Sequence, residues 1–149
     1  MRIDQSAAHR TAMAVAIFAL AVAGSAPLAV AAEAGTAAGP SAGPLDGKTF
    51  VGQVGERGKT TGDQDTLIFR DGTFRSTACD PYGFSEAAYT ATPGADAITF
   101  QTETESQTDG RMEWRGRVQG STIEGTSTWR RPGKAPVEYW FKGELQQQG

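Results

Sequence analysis

The chain of 149 residues sets 14 Lys and Arg against 17 Asp and Glu, a net charge of −3, with one Cys and one His. That length holds one ordinary domain, and the acidic balance excludes a general nucleic-acid binder, which presents a basic face. A single Cys excludes an internal disulfide framework and a Cys-cluster zinc site.

In chain order, Arg2 and Arg10 flank a polar start, and an apolar run follows from Ala12 to Ala23. Gly24, Ser25 and Pro27 break that run, and Ala29-Val30-Ala31 supplies small-x-small. These are the parts of a secretory signal peptide, expected at 1–31, and the run is too short for a membrane span of roughly 20 residues. Periplasmic or secreted localisation follows, with no membrane span after cleavage. The lone His9 falls in this leader, so Ser-His-Asp catalysis and His-ligated metal sites are excluded from the rest. Residues 32–44 (AEAGTAAGPSAGP) hold almost no apolar bulk and read as a flexible linker. The folded domain is expected at 45–149.

From Leu45 onward, period-two alternation replaces any helical stripe. Strands are expected at 48–54, 65–70, 73–79, 87–92, 96–105, 111–119, 122–130 and 137–145. Met112, Trp114, Gly116 and Val118 fall on one face, and Arg111, Glu113, Arg115 and Arg117 on the other. Ile123, Gly125, Ser127 and Trp129 continue the inner face, as do Val137, Tyr139, Phe141, Gly143 and Leu145. Asp71-Gly72 and Gly120-Ser121 are two-residue hairpin turns, setting Phe69 opposite Phe74 and Val118 opposite Ile123. Counting outward sets Arg117 against Glu124 and Glu124 beside Lys142, and on the inner face Gly116 beside Gly125 with Phe100 and Phe141 flanking. Rings over strand glycines fill the missing side-chain volume.

Eight short strands in succession predict an all-β, eight-stranded antiparallel up-and-down barrel, which hides its edges by closing. A two-sheet sandwich is the competing arrangement. Alternation puts the tight connections at one end and the longer ones (55–64, 80–86, 106–110 and 130–136) at the other. A barrel with one loop-rich end is suited to hold a ligand or meet a partner there. The binding candidates at that end are Cys79, Asp80, Tyr82, Phe84, Trp114, Trp129 and Tyr139. The competing reading makes Trp114 and Trp129 core residues, because eight strands enclose little more than their own side chains. Cys79 reads as a buried inert thiol, with a disulfide to a second chain or a reactive thiol as alternatives. Glu103 and Glu105 point outward near Arg111 and Arg115, so they read as a solvated charged face. Catalytic residues, metal ligands and cofactors are not expected.

The meander, the Gly47–Phe50 opening and the late glycine–aromatic alternation resemble the exported lipocalin-like and avidin-like barrels of the calycin group. Phe50 stands where the lipocalin motif has Trp, and the C-terminal helix of lipocalins is missing. The resemblance implies a small β-barrel binding protein holding a small apolar or amphipathic molecule at its loop-rich end. The alternative is a protein-interaction barrel that inhibits an envelope or secreted hydrolase.

Overall fold

The computed structural model describes residues 42–147. The expected signal peptide, 1–31, and most of the expected linker lie outside the described residues. The strands are β1 (Thr49–Glu56), β2 (Asp63–Arg70), β3 (Thr73–Ser76), β4 (Ala87–Pro93), β5 (Ile98–Ser106), β6 (Gly110–Gln119), β7 (Thr122–Arg130) and β8 (Val137–Leu145). Each pairs antiparallel with its neighbour in sequence, and β1 also pairs with β8, closing the barrel. The barrel expectation therefore holds over the sandwich.

The turns set the registers as expected. Asp71 (φ 53°) and Gly72 (φ 74°) both adopt positive φ, which a two-residue hairpin of this hand demands. They bring Phe69 opposite Phe74, while Val118 faces Ile123, Arg117 faces Glu124, and Glu124 faces Lys142. The Arg117 Nε donates to Glu124 Oε1 at 2.8 Å. Gly116 and Gly125 lie side by side, with Phe100 and Phe141 as their outer partners.

One element departs from expectation. The strand expected at 73–79 stops at Ser76, and Thr77–Tyr82 form a 3-10 helix. The cause is a carboxylate eleven residues upstream. Buried Asp65 accepts the Ser76 hydroxyl at 2.7 Å, the Ala78 N–H at 3.0 Å and the Thr77 hydroxyl at 3.3 Å. These side-chain acceptors replace the ladder. Pro81 has no N–H to extend it, and Gly83 ends the turn in the left-handed region (φ 71°). Consequently β3 and β4 share only two residue pairs, Thr73–Ala88 and Phe74–Ala87, against nine between β5 and β6.

The interior is packed with rings. Phe69 lies 5.0–6.2 Å from Phe50, Phe74, Tyr89 and Phe100, centroid to centroid. Trp114 continues the stack against Phe74 (5.0 Å) and Phe141 (5.5 Å). Such tilted and edge-on pairs suit the ring quadrupoles. The end that carries the Asp71-Gly72 turn is plugged by fully buried Leu45. The Tyr89 hydroxyl accepts the Leu45 N–H at 3.2 Å and donates to Asp46 at 2.7 Å, and Asp46 also accepts the Gly72 N–H at 2.9 Å. The Tyr89 bond, chiefly, holds the Asp46 carboxyl below its ordinary pKa. At the opposite end Cys79, Phe84, Met112 and Trp129 are all buried.

A single inner-wall hydroxyl breaks the pattern. Ser127 Oγ is buried with no hydrogen-bond partner, whereas the Trp114 indole N–H donates to Thr104 Oγ1 at 3.2 Å. A buried hydroxyl without a partner costs about 1–3 kcal/mol. Ser127→Ala is therefore expected to leave stability unchanged or raise it by about 1 kcal/mol in urea unfolding. A loss of that size would show that Ser127 has a partner after all.

Candidate functional site

Three of the four connections expected to be long, 57–62, 77–86 and 131–136, do gather at one end. The fourth, expected at 106–110, shrinks to 107–109 because β5 and β6 run on to Ser106 and from Gly110, and it is shorter than 94–97 at the opposite end. The aromatic residues of the loop-rich end meet around Trp129. Tyr82 stands edge-on to the Trp129 indole at 5.3 Å, Phe84 lies behind at 6.2 Å and Tyr139 at 6.5 Å. The indole N–H donates to the Asp109 carbonyl at 2.7 Å, tying the β5–β6 connection to β7. Tyr82 is 48% exposed, the one large hydrophobic residue so exposed among the described residues. Burial, more than the nearby Glu56 carboxylate, raises the Tyr139 phenol above its ordinary pKa.

An unanticipated residue completes the cluster. The Arg131 guanidinium stacks 4.2 Å from the Trp129 ring centroid. Its Nε is buried and has no hydrogen-bond partner. Six of the eight arginines among the described residues form ion pairs; Arg131 and Arg115 do not. A stacked guanidinium with free donors is set to receive a carboxylate or carbonyl. No periodicity marks Arg131, since it lies in a connection.

The remaining candidates have other tasks. Asp80 is held by Arg75 through two contacts, Nε at 3.1 Å and Nη2 at 2.7 Å, and thereby staples the 3-10 helix to β3. Cys79 sits inside that helix, not at a strand end. Burial pushes its thiol up to about 11, against a smaller opposing bond from Ser76. A neutral, covered thiol is a poor nucleophile, and an interchain disulfide through it requires the helix to lift. Trp114 does not reach the loop-rich end: it lies midway along β6, 1% exposed, in the core stack, so for this residue the core reading holds over the binding one. Glu103 points outward, 3.5 Å from Arg111, in a solvated pair worth little.

Four of the seven expected residues therefore share one rim: Tyr82, Phe84, Trp129 and Tyr139. Among the described residues, no group of three His, Cys, Asp or Glu side chains is placed to hold a metal ion. The architecture is calycin-like in being a closed antiparallel meander of eight strands. Comparison of the chain with protein families, curated proteins and solved structures finds no match.

Proposed function

We propose that this chain is an exported barrel of lipocalin- or avidin-like kind that binds an envelope or secreted protein through the aromatic rim of its loop-rich end. The observation that carries this reading is the Tyr82–Trp129–Arg131 cluster. Tyr, Trp and Arg are the residues that dominate the binding energy of protein interfaces, and here they adjoin one another with Tyr82 exposed. The unpaired guanidinium gives the surface a preference for partners carrying an acidic or carbonyl group at that point. Ring packing inside the barrel leaves the rim, rather than the interior, as the place for recognition. Inhibition of an envelope or secreted hydrolase is one use of such a surface.

A small amphipathic ligand at the same rim is the second reading. It is favoured by the short β3–β4 seam beside the 3-10 helix, which lets Tyr82 move off Trp129 without breaking a long ladder. Neither reading needs catalysis, and the raised Cys79 thiol supports that view.

The test is crosslinking in the exporting cell. A benzophenone amino acid at position 82 is expected to capture one discrete partner, and the same group at position 101 on the outer wall is not. Arg131→Ala is expected to weaken capture at least about tenfold, the loss typical of a charged hydrogen bond. If a neutral apolar dye such as Nile red binds in a Tyr82-dependent manner and position 82 captures nothing, the small-ligand reading replaces the protein-binding one.

A further inference from the structure

One concavity lies neither in the barrel nor at its mouth. A groove of about 780 Å³ runs along the outer wall across β5 to β8, roofed at one end by Lys59 and Thr60 of the β1–β2 connection. A space of that size suits a small organic molecule. Its lining includes Lys59, Arg115, Arg117 and Lys142 against one carboxylate, Glu124. Four basic side chains against one acidic one leave it three charges positive, in a chain whose net charge is −3.

Two of these cations are already engaged. Glu124 holds Arg117 at 2.8 Å, and Glu56 holds Lys59 at 2.8 Å. Arg115 and Lys142 form no ion pair among the described residues. Glu113, the acid two residues before Arg115, is taken by Arg130 at 2.7 Å. Arg115 thus faces the groove with no ion pair of its own, and so does Lys142, whose cross-strand neighbour Glu124 is held by Arg117.

An indole lies next to Lys142 on the same strand, β8. The pairing sets Arg115, Thr126 and Trp140 in one row across β6, β7 and β8. Arg115 and Trp140 are thus two strand spacings apart, about 10 Å, with Thr126 between. Trp140 lies over Gly55, where any side chain would collide with the indole, and its N–H donates to the Lys59 carbonyl at 2.9 Å. That bond fixes the ring beside the groove. The Lys142 ammonium sits 5.3 Å from the ring centroid. A flat ring placed over Thr126 meets Trp140 on one side, and its acidic substituent meets Arg115 or Lys142.

We infer that this groove binds a small organic anion built on a flat ring, with Trp140 taking the ring and Arg115 and Lys142 taking the acid. The site is separate from the rim and does not depend on the rim's role.

The experiment is an NMR titration of isotopically labelled protein with four probes. Naphthalene-2-sulfonate and 2-naphthoate carry ring and charge; 2-naphthol carries the ring alone and inorganic phosphate the charge alone. Both ring anions are expected to shift the Trp140 indole N–H and the Arg115 amide, and the tighter of the two identifies the preferred acid. 2-Naphthol and phosphate are expected to bind about tenfold more weakly or less. Arg115→Gln and Lys142→Gln each weaken the ring anions about tenfold, while melting temperature stays put because both side chains are exposed. Tyr82→Ala leaves this binding unchanged, whatever becomes of the rim. Phosphate binding as tightly as the ring anions would mean an adventitious anion site and would overturn the inference. So would shifts centred on Trp129, indifference to both glutamine variants, or no binding of either ring anion.

Discussion

Asp65→Ala is expected to lower unfolding stability by about 3 kcal/mol or more and to expose Cys79 to alkylation. Asp65 is only 2% exposed, and it accepts three hydrogen bonds, from Ser76 at the end of β3 and from Thr77 and Ala78 at the start of the 3-10 helix. Alanine leaves the buried Ser76 hydroxyl and the Ala78 N–H without an acceptor, each costing about 1–3 kcal/mol. The helix then loses its carboxylate tie to β2 and keeps the Thr66 N–H bond to Thr77 Oγ1 (3.0 Å), the Ser106 hydroxyl bond to the Tyr82 carbonyl (2.7 Å) and the Arg75–Asp80 staple, which is partly exposed and weak. In the parent protein the thiol is covered and its pKa raised to about 11, so alkylation at pH 8 waits on opening of the helix and quickens as pH rises. In the variant, opening is frequent and the rate rises many-fold. Asp65→Asn keeps one acceptor oxygen and is expected to fall between the two. Unfolding midpoints and alkylation rates that match the parent would show that packing and the remaining hydrogen bonds hold the helix without Asp65. Asp65 would then have no part in placing Tyr82, which ends this helix, at the rim.

That helix also marks where sequence reasoning stops. Ser76 to Cys79 alternates as a strand does, and nothing local says otherwise. The decisive group is a carboxylate on the preceding strand, placed only once the Asp71-Gly72 turn has brought β2 and β3 together. The plug has the same character, since Leu45 and Asp46 read as ordinary turn residues until Tyr89 and Gly72 arrive from elsewhere. Registers behaved differently. Those beside a two-residue turn were set by it, so Arg117–Glu124 and Gly116–Gly125 could be counted from sequence, and the 130–136 loop carried the count on to Glu124–Lys142. Alternation gives the face of a residue more readily than its height, so it does not tell that Trp114 stops short of the loop-rich end. Trp140 was within reach. An inward Tyr139 makes its neighbour face outward, and a bulky indole on a charged wall is the signal of a surface groove.

Gly116→Val is expected to cost about 3 kcal/mol or more, as overpacking of a filled core does, and to lower the melting temperature by about 15 °C. A Cβ at position 116 would stand 2.7 Å from Phe141 Cζ, 2.8 Å from Phe100 Cε1 and 2.8 Å from the Glu124 carbonyl oxygen. Neither ring has room to retreat. Phe141 already abuts Trp114 at 5.5 Å, and Phe100 abuts Phe69 at 5.0 Å and Phe74 at 5.8 Å. The carbonyl belongs to the adjacent strand and cannot move without breaking its ladder. Phe141→Leu removes ring atoms at the clash and is expected to be destabilising alone but to recover part of the loss in the Gly116→Val background. The pair should show a coupling of about 0.5–3 kcal/mol in a double-mutant cycle. A cost below about 1 kcal/mol for Gly116→Val would mean that the rings slide freely and that spare volume exists within the wall. An amphipathic ligand could then lodge inside the barrel, and recognition at the rim would no longer be favoured over recognition within.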